Sequence, residues 1–180
     1  MAESDSELKM LSSEDIHMNL GTDPSVEKAD NDMSHLFPLF VEKVKEVLAM
    51  VTHDTKGKHD VDHWIVFEGY RSQARQDWLY SQGRTRPGDV VTHIHVSNHT
   101  SRMAADCYPM NVHGEVMWEP HPDIWSQYGH CIRAVGMQWG GDYPRIFPGS
   151  HFVDQPHVEP PASIKAAWAA QVKDGEPHGV

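Results

Sequence analysis

Cysteine is nearly absent: Cys107 and Cys131 are the only two in 180 residues. Two thiols so far apart supply neither a disulfide scaffold nor a cysteine-based zinc knuckle, and both are expected to be reduced, buried small hydrophobes. Long apolar runs are missing as well. No stretch of about 18 apolar residues is there to span a membrane, and the N-terminus has no basic segment leading into an apolar core, so no secretory signal is expected. A soluble protein made in the cytoplasm is the expectation. The third absence is clustered positive charge. Fifteen Lys and Arg stand against 26 Asp and Glu, a net charge of −11. Without a basic stripe, the counterion release that drives nucleic-acid binding is lacking. There is no internal repeat, low-complexity tract or wall-binding repeat.

What is present is enough for one domain. The apolar fraction is 39%, and aromatic and aliphatic residues are spread over 36–168, so most of the chain can bury surface. Residues 1–35 differ: they hold nine acidic residues against two lysines, −7 of the total charge. Low hydrophobicity with charge of one sign predicts a mobile or loosely docked segment there, followed by a single domain over 36–180. Histidine is the compositional outlier at 14 residues, which directs attention to metal chemistry or pH response.

Leu39, Phe40, Val44, Val47, Leu48 and Val51 recur at helical spacing opposite Glu42, Lys43, Lys45 and Glu46, predicting an amphipathic helix from about Pro38. The run "WIVFEGY" (64–70) has strand composition. Ser72 can cap a helix running to Gly83, and 103–108 reads as a strand turning near 111–114 into a hairpin partner at 115–118. A second long helix is expected over 122–138, stopped by Gly140 and Gly141, with a last strand at 152–159 and an alanine-rich C-terminal helix. Strands and helices without strict βαβ alternation predict an α+β fold with a small antiparallel sheet flanked by helices.

Chemistry concentrates at a few positions. A catalytic zinc takes three protein ligands drawn from His, Asp and Glu and leaves a fourth position for water. His99 and Asp106 supply two candidates, and His157, with Asp154 three residues before it, supplies a third plus a nearby carboxylate for proton transfer. A competing pair, His93 and His95, alternates on one face but has no evident third partner.

Four blocks in order, "EGYRSQARQDWLYSQGRT" (68–85), "SNHTSRMAADC" (97–107), "MQWGGDY" (137–143) and "DQPHVE" (154–159), closely resemble the zinc D-Ala-D-Ala carboxypeptidase and L-alanyl-D-glutamate endopeptidase family. That family includes many phage endolysins and shares its fold with the hedgehog signalling domain. The resemblance implies one Zn2+ per chain held by His99, Asp106 and His157, with Asp154 as catalytic acid/base and Arg71 holding substrate and stabilising the oxyanion. Ser97 is a candidate for orienting the His99 loop, Trp139 and Tyr143 for lining the substrate groove, and Glu159 for supporting His157 from the same strand face. One position departs from the pattern: Arg102 stands where the family usually has glycine. If that glycine serves a positive φ, arginine imposes strain; if it leaves space, Arg102 fills the cleft and alters specificity.

The implied function is a peptidoglycan peptidase acting on the stem peptide, with L-alanyl-D-glutamate the preferred bond. The alternatives are a D-Ala-D-Ala carboxypeptidase and a non-catalytic, zinc-stabilised binding module of the same fold. A metal-storage role for the histidines is a further reading. A monomer is expected, reaching the cell wall after release from the cytoplasm during host lysis, without membrane insertion.

Overall fold

In the computed structural model, which describes residues 26–146, 149 and 151–175, helix α1 (Pro38–Thr55) starts on the expected proline, whose fixed φ suits a first turn. It buries Phe40, Val44, Val47, Val51 and Thr55 on one face. Thr55 belongs there because its hydroxyl is satisfied: Oγ1 donates to the Val51 carbonyl at 2.6 Å and accepts from Trp64 Nε1 at 3.0 Å.

Strand β1 (Val61–Glu68) begins three residues before the expected Trp64. Asp62 and His63 look like loop residues, but their side chains are paired with each other, His63 Nδ1 lying 2.9 Å from Asp62 Oδ2, beside the buried Val61. Helix α2 (Gln73–Ser81) is capped as predicted, with the Ser72 hydroxyl accepting from the Arg75 N–H at 3.2 Å. Strand β2 (Ala105–Asn111) follows. The expected hairpin partner at 115–118 makes only one isolated bridge, Val116 to Met110. Asn111 turns the chain with its own side chain, which accepts from the N–H groups of His113 and Glu115 at 2.9 Å each.

Helix α3 (Pro122–Ala134) stops earlier than predicted. Gly136 takes φ +76°, and bonds from Met137 N–H to the Ile132 carbonyl (3.0 Å) and from Gly136 N–H to the Arg133 carbonyl (3.1 Å) close the helix end. Gly140 and Gly141 instead follow strand β3 (Gln138–Trp139) in a 3-10 turn, leading to the short helix α4 (Tyr143–Ile146). Strand β4 (His157–Glu159) is shorter than the predicted 152–159, and helix α5 (Ala162–Gly175) places Trp168 on Phe37 with ring centroids 5.5 Å apart.

The sheet order is β1-β2-β4-β3, antiparallel throughout, as the α+β reading requires. Helix α1 packs on α3 and β1, and the core gathers Val61, Trp64, Val66, Cys107, Tyr128 and Val158 among others. Both cysteines are free and buried, as expected. No helix among the described residues is long and apolar enough to cross a membrane. Of the acidic N-terminal segment, residues 1–25 lie outside the described residues. Residues 26–35 are held against the body: the Asp30 carbonyl accepts from Gly69 N–H at 2.6 Å and the Val26 carbonyl from Arg75 at 2.9 Å.

Candidate active site

Register builds the site. Glu68 pairs with Asp106 across β1 and β2, and Asp106 pairs with His157 across β2 and β4, so three polar residues form one row over three strands. Their neighbours Val66, Cys107, Ala105 and Val158 are buried in the core. Alternation would put Phe67 and Glu68 of β1 on opposite faces. A bulge between Val66 and Glu68 leaves Phe67 unpaired and brings Glu68 level with Asp106.

His99 reaches this row from the loop before β2. Its backbone N–H donates to Ser97 Oγ at 3.3 Å, which is the orienting bond considered for Ser97, and its carbonyl accepts from Arg71 N–H at 3.3 Å. Its Nδ1 lies 2.7 Å from the Gly69 carbonyl. A carbonyl only accepts, so Nδ1 carries the proton and a neutral His99 presents a lone pair at Nε2. That lone pair faces Asp106 Oδ2 at 3.4 Å. Asp106 Oδ1 lies 3.1 Å from His157 Nδ1, and the three residues have ligand atoms within 4.8 Å of one another. Two acceptors facing each other require a cation or a proton between them.

Electrostatics agree. Burial acts to lower His157, yet the bond to Asp106 and the nearby Glu159 push it up to about 10. Burial acts to raise Asp106, yet His99 and His157 hold its carboxyl well below the usual carboxylate range. This pocket therefore favours positive charge among one carboxylate and two imidazoles, and the donor set suits a divalent metal. Glu159 is buried on the far side of His157, with Oε2 3.5 Å from His157 Nε2. Asn98, Gln138 and Lys165 hold its carboxylate in place.

Asp154 lines the same cavity of about 620 Å³. Its N–H donates to the Gly140 carbonyl at 3.1 Å, and its carbonyl accepts from His157 N–H at 3.3 Å. Burial, and then repulsion from Asp106, raise its carboxyl despite the opposing histidines and Arg71. Arg71 is buried rather than forming a surface ion pair. It donates to Glu68 Oε2 at 2.6 Å and Gln76 Oε1 at 2.8 Å, and lies 3.6 Å from Asp106 Oδ2.

Tyr143 and Ser97 line the cavity, and Trp139 does not. Trp139 pairs with Val158, placing it on the opposite side of the sheet. Its indole packs where Gly129 and Gly141 leave no room for a Cβ, and Nε1 donates to the Gln155 carbonyl at 2.7 Å. The expectation of a groove-lining residue is corrected to one that braces the Asp154–His157 turn. His95 packs on Tyr80 (3.6 Å) and His93 lies near Phe152 (6.1 Å), so the two do not converge. A second His-His-Asp group, His59, His121 and Asp123, lies at the exposed surface. Its imidazoles stack at 4.1 Å and 7°, so their lone pairs run parallel rather than toward one point.

Arg102 adopts φ +64°, the conformation that favours glycine. Its guanidinium does not fill the cavity: it lies over the Tyr70 ring at 3.9 Å and donates to the His35 carbonyl at 2.7 Å. Sequence reasoning passed over Glu68 and Gln76, which orient Arg71, and the Gly69 carbonyl, which sets the His99 tautomer. Glu68 was detectable as a carboxylate ending an apolar strand; a backbone carbonyl leaves no trace in sequence.

Residues 92–160 match the family described as D-alanyl-D-alanine carboxypeptidase. The peptidoglycan L-alanyl-D-glutamate endopeptidase CwlK of Bacillus subtilis is 33% identical over 104 residues, covering 53% of this chain. The chain spans 59% of the length of that relative. The crystal structure of the Serratia marcescens L-Ala D-Glu endopeptidase ChiX superposes with a TM-score of 0.53 at 20% identity, over 78% of this chain and 92% of that one. The resemblance carried by the four sequence blocks is borne out, and so is the fold.

Proposed function

We propose that this chain, with the D-alanyl-D-alanine carboxypeptidase family pattern across residues 92–160, is a zinc-dependent peptidoglycan peptidase. The bond we favour is L-alanyl-D-glutamate of the stem peptide, the one named for both the Bacillus and the Serratia relatives. The observation carrying the reading is the meeting of His99, Asp106 and His157 within 4.8 Å beside a cavity that Asp154 also lines. In this proposal the three residues hold one Zn2+ per chain. Bound there, zinc supplies Lewis-acid activation of water and of the scissile carbonyl.

The remaining work falls to side chains. Asp154, its affinity for protons raised by burial and by Asp106, takes the proton of the attacking water and returns it to the leaving amine. Arg71, aimed by Glu68 and Gln76, offsets negative charge developing on the carbonyl oxygen. Ser97 holds the His99 loop, and Tyr143 borders the substrate. Glu159 fixes the orientation of His157.

D-Ala-D-Ala carboxypeptidase activity is the second reading, because the matched family carries that description. A non-catalytic zinc module has no use for a buried, proton-seeking carboxyl at Asp154. We place the enzyme at the cell wall after release from the cytoplasm, as a monomer whose catalytic domain covers 36–180. Mass spectrometry of muropeptides separates the readings. Endopeptidase action leaves L-alanine on the glycan; carboxypeptidase action releases a terminal D-alanine; an intact substrate would sink both.

A further inference from the structure

Trp118 is the most exposed Phe, Tyr or Trp among the described residues, at 54% of its area. Leaving so large an apolar ring in water forgoes burial energy, so its placement calls for an account. It is not a loose side chain. Phe67 and Tyr108 hold it at centroid distances of 4.9 and 5.0 Å with steep interplanar angles of 82° and 66°. Neither stacks flat upon it. Phe67 is the unpaired residue of the β1 bulge, and Tyr108, two residues beyond Asp106 on β2, lines the catalytic cavity. The aromatic group is thus continuous with the candidate active site.

We infer that Trp118 is the platform of a saccharide subsite, on which the amino-sugar ring carrying the stem peptide stacks. The inference rests on the peptidase reading above. Pyranose rings present apolar C–H faces with polar edges, the complement of an indole that is half in water. Reach is consistent. From Asp106 to Tyr108 along the strand is roughly 7 Å, and the Trp118 ring lies 5.0 Å beyond Tyr108. In peptidoglycan, the L-alanyl carbonyl is separated from the sugar by the alanine and a lactyl group. Two such extended units span roughly 7 Å, and the sugar ring they carry extends beyond them toward the indole, across the remaining distance from Tyr108 to Trp118. Trp118 would bind substrate without touching the reacting atoms, so its signature is selectivity for substrates that carry sugar.

The test uses the zinc-loaded full chain and two substrates, a disaccharide muropeptide and the same stem peptide capped only by lactyl. Trp118→Ala is expected to raise KM for the muropeptide about ten-fold and to leave kcat/KM for the lactyl peptide within about two-fold of wild type. Trp118→Phe should fall between. Equal losses on both substrates, or none on the muropeptide, would overturn the subsite. If the wild type cleaves neither substrate, the peptidase reading fails instead. Isothermal titration of the disaccharide alone then decides the subsite: weaker binding by Trp118→Ala supports it, and identical or absent binding removes it.

Discussion

Asp154 differs from the three candidate ligands in what surrounds it. His99, Asp106 and His157 face one another, whereas burial and the Asp106 charge leave Asp154 holding its proton more readily than an ordinary aspartate. Asp154→Ala is therefore expected to keep one zinc per chain, by metal analysis of the purified variant, while muropeptide turnover falls 10²- to 10⁴-fold, roughly the range of general acid–base catalysis. Arg102 poses a different residue-scale problem. Its φ of +64° costs a side chain about 1 kcal/mol relative to glycine, and its stacking on Tyr70 and bond to His35 offset that cost. Arg102→Ala loses the contacts and keeps the strain, so urea denaturation should find it less stable than Arg102→Gly by about 1 kcal/mol. Equal midpoints would show that the backbone carries no strain. The candidate triad of His99, Asp106 and His157 could be proposed from sequence because metal chemistry restricts residue type. Glu68 and Gln76 could not, since a buried polar partner is defined only by what the fold brings to it.

Elements set the spacing that side chains then use. The β1 bulge aligns Glu68 with Asp106, and the antiparallel β2–β4 register aligns Asp106 with His157. Neither a bulge nor a register is written in hydrophobic alternation, which is why β1 was predicted late and 152–159 too long. Helix α1 was read correctly from its start, because proline placement and 3.6-residue periodicity act locally. The Gly140–Gly141 pair was assigned to the end of α3, but Gly136 ends that helix. Gly140 serves packing instead: a Cβ there would collide with the Asp154 carbonyl and crowd the His157 Cβ. Gly140→Ala should thus displace the Asp154–His157 turn and lower both zinc affinity and turnover by roughly 10- to 100-fold, as loss of a ligand's support does. Unaltered zinc affinity in a competition titration with a chelator would contradict that placement.

Across the whole molecule, one apolar core between α1, α3 and the sheet sets the frame, and the candidate metal would tie the 97–99 loop to β2 and β4. Phe40, fully buried in α1, should cost about 3–5 kcal/mol when changed to alanine, measurable by urea unfolding. Metal adds to the same balance. At a free concentration near 100 times Kd it stabilises by about 2.7 kcal/mol, so chelation should lower Tm by roughly 5–10 °C. The fold class was readable from composition and element pattern; the docking of 26–35 through backbone carbonyls was not. Metal-dependent cleavage of a wall peptide is measured most directly by mass spectrometry of muropeptides incubated with the protein, with and without chelator. Fragments split at L-alanyl-D-glutamate are expected, vanishing with chelator and returning with added zinc. Intact muropeptide in every sample, or cleavage indifferent to chelator, would contradict metal-dependent cleavage.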